Sequence, residues 1–247
     1  MSEPRTEPFI NADIAESINY ASWQNSVPLL RAIEVNNPSA QTLSDVRLEL
    51  SSSPPFLRPK TWRLERLNAG DELDLRDRDV QLDPDYLNGL NEAERGEVSL
   101  ILSRDDEVLA QTKHDIRILA RDEWGGLNSN GELLAAFVMP NDPALAKLLK
   151  SAAKLLGKHG HSTALDGYQS GDPGRAYMLA AAIWSAVSAE SLTYANPPRS
   201  FEKVGQKTRR PSQVLSHGLA TCLDTSMLFA AALEGCDRTS GLGVERV

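Results

Sequence analysis

Cys222 is the side chain in this sequence best suited to covalent chemistry. It stands in HGLATCLDTSMLFAAALEGC (His217 to Cys236), after Gly218 and Thr221 and two residues before Asp224. Thr221 can cap a helix that begins at Cys222. A thiol in that first turn meets free backbone N–H groups and the positive end of the helix dipole. Both favour the thiolate, the form that attacks carbonyl carbon. The competing reading is packing, because a cysteine beside Leu and Ala at a helix start also serves as a small apolar residue.

Other residues offer less. All four histidines, His114, His159, His161 and His217, precede Cys222. His217 lies five residues before the thiol and reads as a polar end to a short helix. The KHGH run at His159 and His161 lacks acidic or cysteine ligands at metal spacing, so neither a metal nor a cofactor is expected. Asp77/Asp79 and Asp83/Asp85, interleaved with Arg76 and Arg78, read as solvated turns rather than a calcium or acid–base site. KVGQKTRR (Lys203 to Arg210) reads as a solvated basic loop. GLGVE near the end lacks the Lys and Ser/Thr of a phosphate loop.

The elements that must hold Cys222 fall into two halves with different periods. From about Ile14 to Leu119 apolar residues alternate, as at Val46, Leu48 and Leu50 and again at Val98, Leu100 and Leu102. Turn signals at Asn36-Asn37-Pro38 and Asp105-Asp106 separate the runs. This predicts antiparallel strands in a sandwich. RDEWGGLNSNGE (Arg121 to Glu132) marks the change of period. Beyond it, DPALAKLLKSAAKLLGKHG predicts a helix capped by Asp142, with Leu145, Leu148, Leu149 and Ala152 on one stripe. GDPGRAYMLAAAIWSAVSAESLTY opens on Asp172-Pro173 and is apolar nearly all round, which predicts a buried helix with Trp184 in its core. PSQVLSHG predicts a short helix ended by Gly218, and a last helix runs from about Cys222 to Glu234.

Bulk composition narrows the partners. Over 247 residues the net charge is −8, which argues against a broad nucleic-acid surface. No apolar run reaches about 18 residues, so no membrane span is expected. MSEPRTEPFINADIAES has no apolar core of a secretory signal. The two cysteines are fourteen residues apart around one helix, about 20 Å, too far for a disulfide. A cytoplasmic setting with reduced thiols follows.

The segment RRPSQVLSHGLATCLDTSMLFAAALEG (Arg209 to Gly235) resembles the catalytic-cysteine segment of the transglutaminase-like superfamily. There a Gly, a few residues and then Cys, often followed by Asp, open a long apolar helix. The matching residues here are Gly218, Cys222 and Asp224, with Thr221 supporting the helix start. Ala181 to Leu215 resembles the helix and loop ahead of that cysteine. Ile18 to Asp122 resembles the β-sandwich that precedes such modules in some large multidomain bacterial helicase- or nuclease-type proteins. The resemblance implies an α+β fold, with an N-terminal antiparallel immunoglobulin-like β-sandwich over 12–124. A mainly helical, incomplete transglutaminase-like domain would follow over 132–240.

The implied activity is thiol acyl transfer or peptide hydrolysis, with Cys222 as nucleophile and a histidine and an aspartate following it in the chain. After Gly235 the sequence reads CDRTSGLGVERV, with no histidine and no strand pattern. The expectation is a truncated, frameshifted or fragmentary form with an incomplete triad and no turnover. Its Cys222 helix would expose an apolar face to a protein partner or a second copy. The alternative is a non-catalytic binding or scaffolding module of a larger protein, a DNA-processing one among the options.

Overall fold

The computed structural model describes residues 6–239, apart from the side chains of residues 167, 168 and 237–239. The expectations for the first five residues and for the sequence past Thr239 lie outside the described residues. The chain divides into two compact units, Met1–Gly131 and Glu132–Val247.

The first unit contains strands β1 (Phe9–Ile14), β2 (Ser17–Ile18), β3 (Leu30–Asn36), β4 (Leu43–Ser53), β5 (Lys60–Leu67) and β6 (Glu72–Asp74). Strands β7 (Glu94–Arg104), β8 (Glu107–Ile118) and β9 (Glu123–Trp124) follow, with helices α1 (Tyr20–Gln24), α2 (Pro84–Gly89) and α3 (Leu127–Asn130) between or after them. Strand β3 pairs antiparallel with β1 and β6 in a three-stranded sheet. A five-stranded sheet runs β2-β8-β7-β4-β5. Alternation puts Val46, Leu48 and Leu50 opposite Leu64, Trp62 and Lys60 on one side and Arg104, Leu102 and Leu100 on the other. Side chains from both sheets, with the fully buried Phe56, share one apolar cluster.

The expected immunoglobulin-like sandwich followed by a mainly helical domain is not what the chain builds. The structure is mixed, with 35% helix and 31% strand, and its largest sheet is curled. That sheet is mixed, because β2 lies parallel to β8, with Ser17 opposite Arg117 and Ile18 opposite Ile118. The physical reason is that alternation reports which face of a strand is buried, not which neighbour it joins or in which direction. The loop expected around Asp83 and Asp85 is also partly helical. The Asp83 carboxylate accepts the Asp85 and Tyr86 N–H groups and so caps α2.

The second unit begins with a 3-10 segment and contains α4 (Leu145–Lys158), α5 (Pro173–Ser188), β10 (Thr193–Tyr194), α6 (Phe201–Val204) and β11 (Gln206–Lys207). It continues with α7 (Pro211–His217), β12 (Leu219–Ala220) and α8 (Cys222–Thr239). Helix α4 buries Leu145, Leu148, Leu149, Ala152 and Leu156, the spacing of one helical face. It starts two residues later than its sequence suggests. Asp142 instead holds the approach, accepting Ala144 N–H through one oxygen and Ser212 N–H through the other. Helix α5 is capped by Asp172, whose carboxylate accepts Gly174 N–H. These helices and α8 enclose a second apolar cluster that includes Cys236.

Helix α5 departs from expectation on its outer face. Leu179, Ile183, Ala186 and Val187 are buried, but Tyr177 is 77% exposed and Trp184 61%. Continuous hydrophobicity made the whole helix read as core. Only the packing partners decide which apolar residues find cover.

Candidate thiol site

Three short features bring Cys222 to the surface. Helix α7 ends at Gly218, which adopts φ +64°, and its N–H closes on Val214 O. A Cβ there would meet nothing within 4 Å, so the left-handed backbone, not space, requires glycine. The turn reverses the chain into β12, which pairs in parallel with β10. Thr193 N–H donates to Gly218 O at 2.7 Å and Ala195 N–H to Ala220 O at 2.8 Å. This ladder sets Tyr194 beside the residues that enter α8.

The entry to α8 is a capping box. Thr221 Oγ1 accepts Asp224 N–H at 3.2 Å, and an Asp224 oxygen accepts Thr221 N–H at 2.9 Å. Asp224 is fully buried. It also accepts Arg209 N–H at 2.7 Å and the Arg209 guanidinium at 2.8 Å. Gln206 Nε2 donates to Thr221 Oγ1 at 3.1 Å. The stretch expected to be a solvated basic loop is therefore partly structural: Gln206 and Thr208 are buried, and Arg209 holds the start of α8. Asp224 is a positioning residue, since its acceptor capacity is spent on backbone and guanidinium.

With the cap satisfied by neighbours, the first residue of α8 faces outward. Cys222 is exposed, whereas Cys236 is buried at 1%. The Tyr194 phenol interacts with Cys222. Its ionisation is pushed above the ordinary tyrosine value, first by desolvation, then by the charge of the cysteine and the hydrogen bond to it. Tyr194 keeps 60% of its surface exposed, so the sulfur contact is the chemically informative part. Tyr194 also lines a cleft of about 260 Å³, with Trp184, Val187, Leu192, Ala220 and Thr225. Trp184 is braced edge-on by Phe229 of α8, with ring centres 6.0 Å apart.

The structure thus joins Gly218, Thr221, Cys222 and Asp224 in one segment and adds Tyr194, Gln206 and Arg209. Sequence reasoning missed those three. Their signal is weak: a two-residue ladder leaves no period, and Arg209 sits in a run that looks merely basic. Among the described residues, none of the four histidines is hydrogen-bonded to Cys222; His217 is exposed in the last turn of α7. His159 caps the end of α4 and His161 follows it, both exposed. No group of three or more His, Cys, Asp or Glu among the described residues is placed to hold a metal. Asp77 is bonded to Lys60 at 2.6 Å, a hydrogen bond that holds its carboxyl below the usual range.

No described helix is long and apolar enough to cross a membrane. No protein-family model and no curated protein matches the chain. Among solved structures, the crystal structure of Bacteroides uniformis beta-glucuronidase is similar over 44% of this chain and 12% of that one, at 15% identity and a TM-score of 0.23. A likeness that slight and partial carries no argument about what this chain does.

Proposed function

We propose that Cys222 is the thiol nucleophile of an acyl-transfer or amide-hydrolysing site in the second unit. The observation that carries this reading is an exposed thiol in the first turn of an 18-residue helix, beside a phenol and a cleft. In the reaction the thiolate adds to an acyl carbonyl carbon, and the carbonyl pair moves onto oxygen. The tetrahedral species collapses to a thioester as the C–N bond breaks and the amine leaves with a proton taken from water. Water or a second amine then takes the acyl group. In this reading the Tyr194 O–H, which interacts with Cys222, donates to the sulfur or to a developing oxyanion. Lacking a histidine on Cys222 among the described residues, the arrangement supports the acylation half more than repeated turnover. A reducing compartment such as the cytoplasm suits an exposed reactive thiol.

The test is the rate of Cys222 alkylation. Native protein is expected to take up one equivalent of iodoacetamide near neutral pH, faster than a model thiol, and a second only after denaturation exposes Cys236. A native rate equal to the model thiol removes the nucleophile reading.

A second reading is favoured by the exposed Tyr177 and Trp184 on α5. It is a protein-binding surface, for a partner or a second copy, that also uses the adjacent face of α8. Light scattering at tens of micromolar tests the self-association form; a clean monomer excludes it.

A further inference from the structure

We infer that the cleft beside Cys222 selects acyl donors whose group next to the reacting carbonyl is uncharged and aromatic or aliphatic. This deepens the proposed thiol chemistry and rests on Cys222 being its nucleophile. Cys222 does not itself line the cleft, but three of the residues that do flank it. Tyr194 touches Cys222, Ala220 lies two residues before it, and Thr225 lies one helical turn after it on the same face.

Among the described residues its lining holds no carboxylate, ammonium or guanidinium. The one titratable group among the described lining residues is the Tyr194 phenol, which is neutral near pH 7 as any phenol is. A charged group meets no opposite charge in this lining, whereas an apolar one packs against Trp184, Val187 and Leu192. Serine and threonine hydroxyls at the rim can hydrogen-bond a neutral amide without demanding a charge. The volume decides the size. At about 260 Å³ the cleft falls below the roughly 300–1,000 Å³ of sites that enclose a whole small ligand, so it takes one side chain. Trp184 is braced by Phe229 and forms a fixed wall despite its exposure.

The experiment uses the full chain and matched iodoacetamides bearing a benzyl, a carboxylate or an ammonium group. In each, Cys222 Sγ forms a C–S bond to the methylene carbon as iodide leaves with the C–I pair, and the thiol proton passes to solvent. Rates are read by intact mass and divided by the rate of a model thiol with the same reagent. The benzyl reagent is expected to saturate and to exceed both charged reagents by about 10-fold or more after normalisation. Trp184→Ala should bring that ratio close to one. Ser191 also lines the cleft, and Ser191→Asp should shift preference to the ammonium reagent, a gain that misfolding does not imitate. Equal normalised rates for the three reagents overturn the inference even where Cys222 outpaces the model thiol. Plain iodoacetamide reacting at the model-thiol rate overturns the nucleophile reading instead, and the ratio among reagents on that same thiol still decides the cleft.

Discussion

At the fully buried Asp224 one carboxylate accepts the backbone of Thr221, the backbone of Arg209 and the Arg209 guanidinium. Replacing it by alanine strands two N–H groups and a partly buried cation. Asp224→Ala is therefore expected to cost about 3 kcal/mol, the low end for breaking a buried pair, because Arg209 keeps a third of its side chain in solvent. Urea denaturation measures it, and a cost below 1 kcal/mol would contradict the positioning role. Tyr86 makes a different kind of prediction. Its hydroxyl donates to Glu94 at 2.6 Å, and desolvation, then that hydrogen bond, raise its ionisation from 10.0 to about 12. Below pH 10 both the folded and the unfolded chain hold the proton, and the contribution is complete. Between 10 and about 12 the unfolded chain releases it first, so stability drains away as pH rises. The stability gap between the native protein and Tyr86→Phe should narrow through that window, as followed by denaturation at pH values on either side.

The elements around the thiol are short, and their ends do the positioning. Helix α7 exists to deliver a left-handed glycine, and β10 and β12 are only two residues each. Gly218→Ala forces a Cβ into the left-handed region and is expected to cost about 1–2 kcal/mol. It should also loosen the Thr193–Gly218 hydrogen bond, seen as faster amide exchange at Thr193. Unaltered exchange there would mean the ladder does not depend on the turn. Much of this was legible in the sequence. Gly218 as a helix stop, Thr221 as a cap and Asp172 as a cap follow from residue types that satisfy orphan backbone groups locally. The role of Tyr194 was not, because two residues carry no period and their partner lies 26 positions downstream.

For the molecule as a whole, two separate apolar clusters divide the chain, and no residue belongs to both. Leu148→Ala opens a cavity in the second cluster only, at an expected cost of about 2–5 kcal/mol. Calorimetry should show the transition of that unit lowered and that of the first unit unmoved; an equal shift in both would show that they unfold together. The sequence by itself determined where periods of two give way to helical ones, because side-chain alternation is a property of the local backbone. It also determined that Thr221 and Asp172 cap helices and that Cys222 opens one. Only the tertiary structure decided that β2 runs parallel to β8, that Trp184 stays in water while Leu179 does not, and that Arg209 serves Asp224. Those outcomes depend on which surfaces meet across long stretches of chain, and pairing direction, cover and ion partners leave no mark on the spacing of residues.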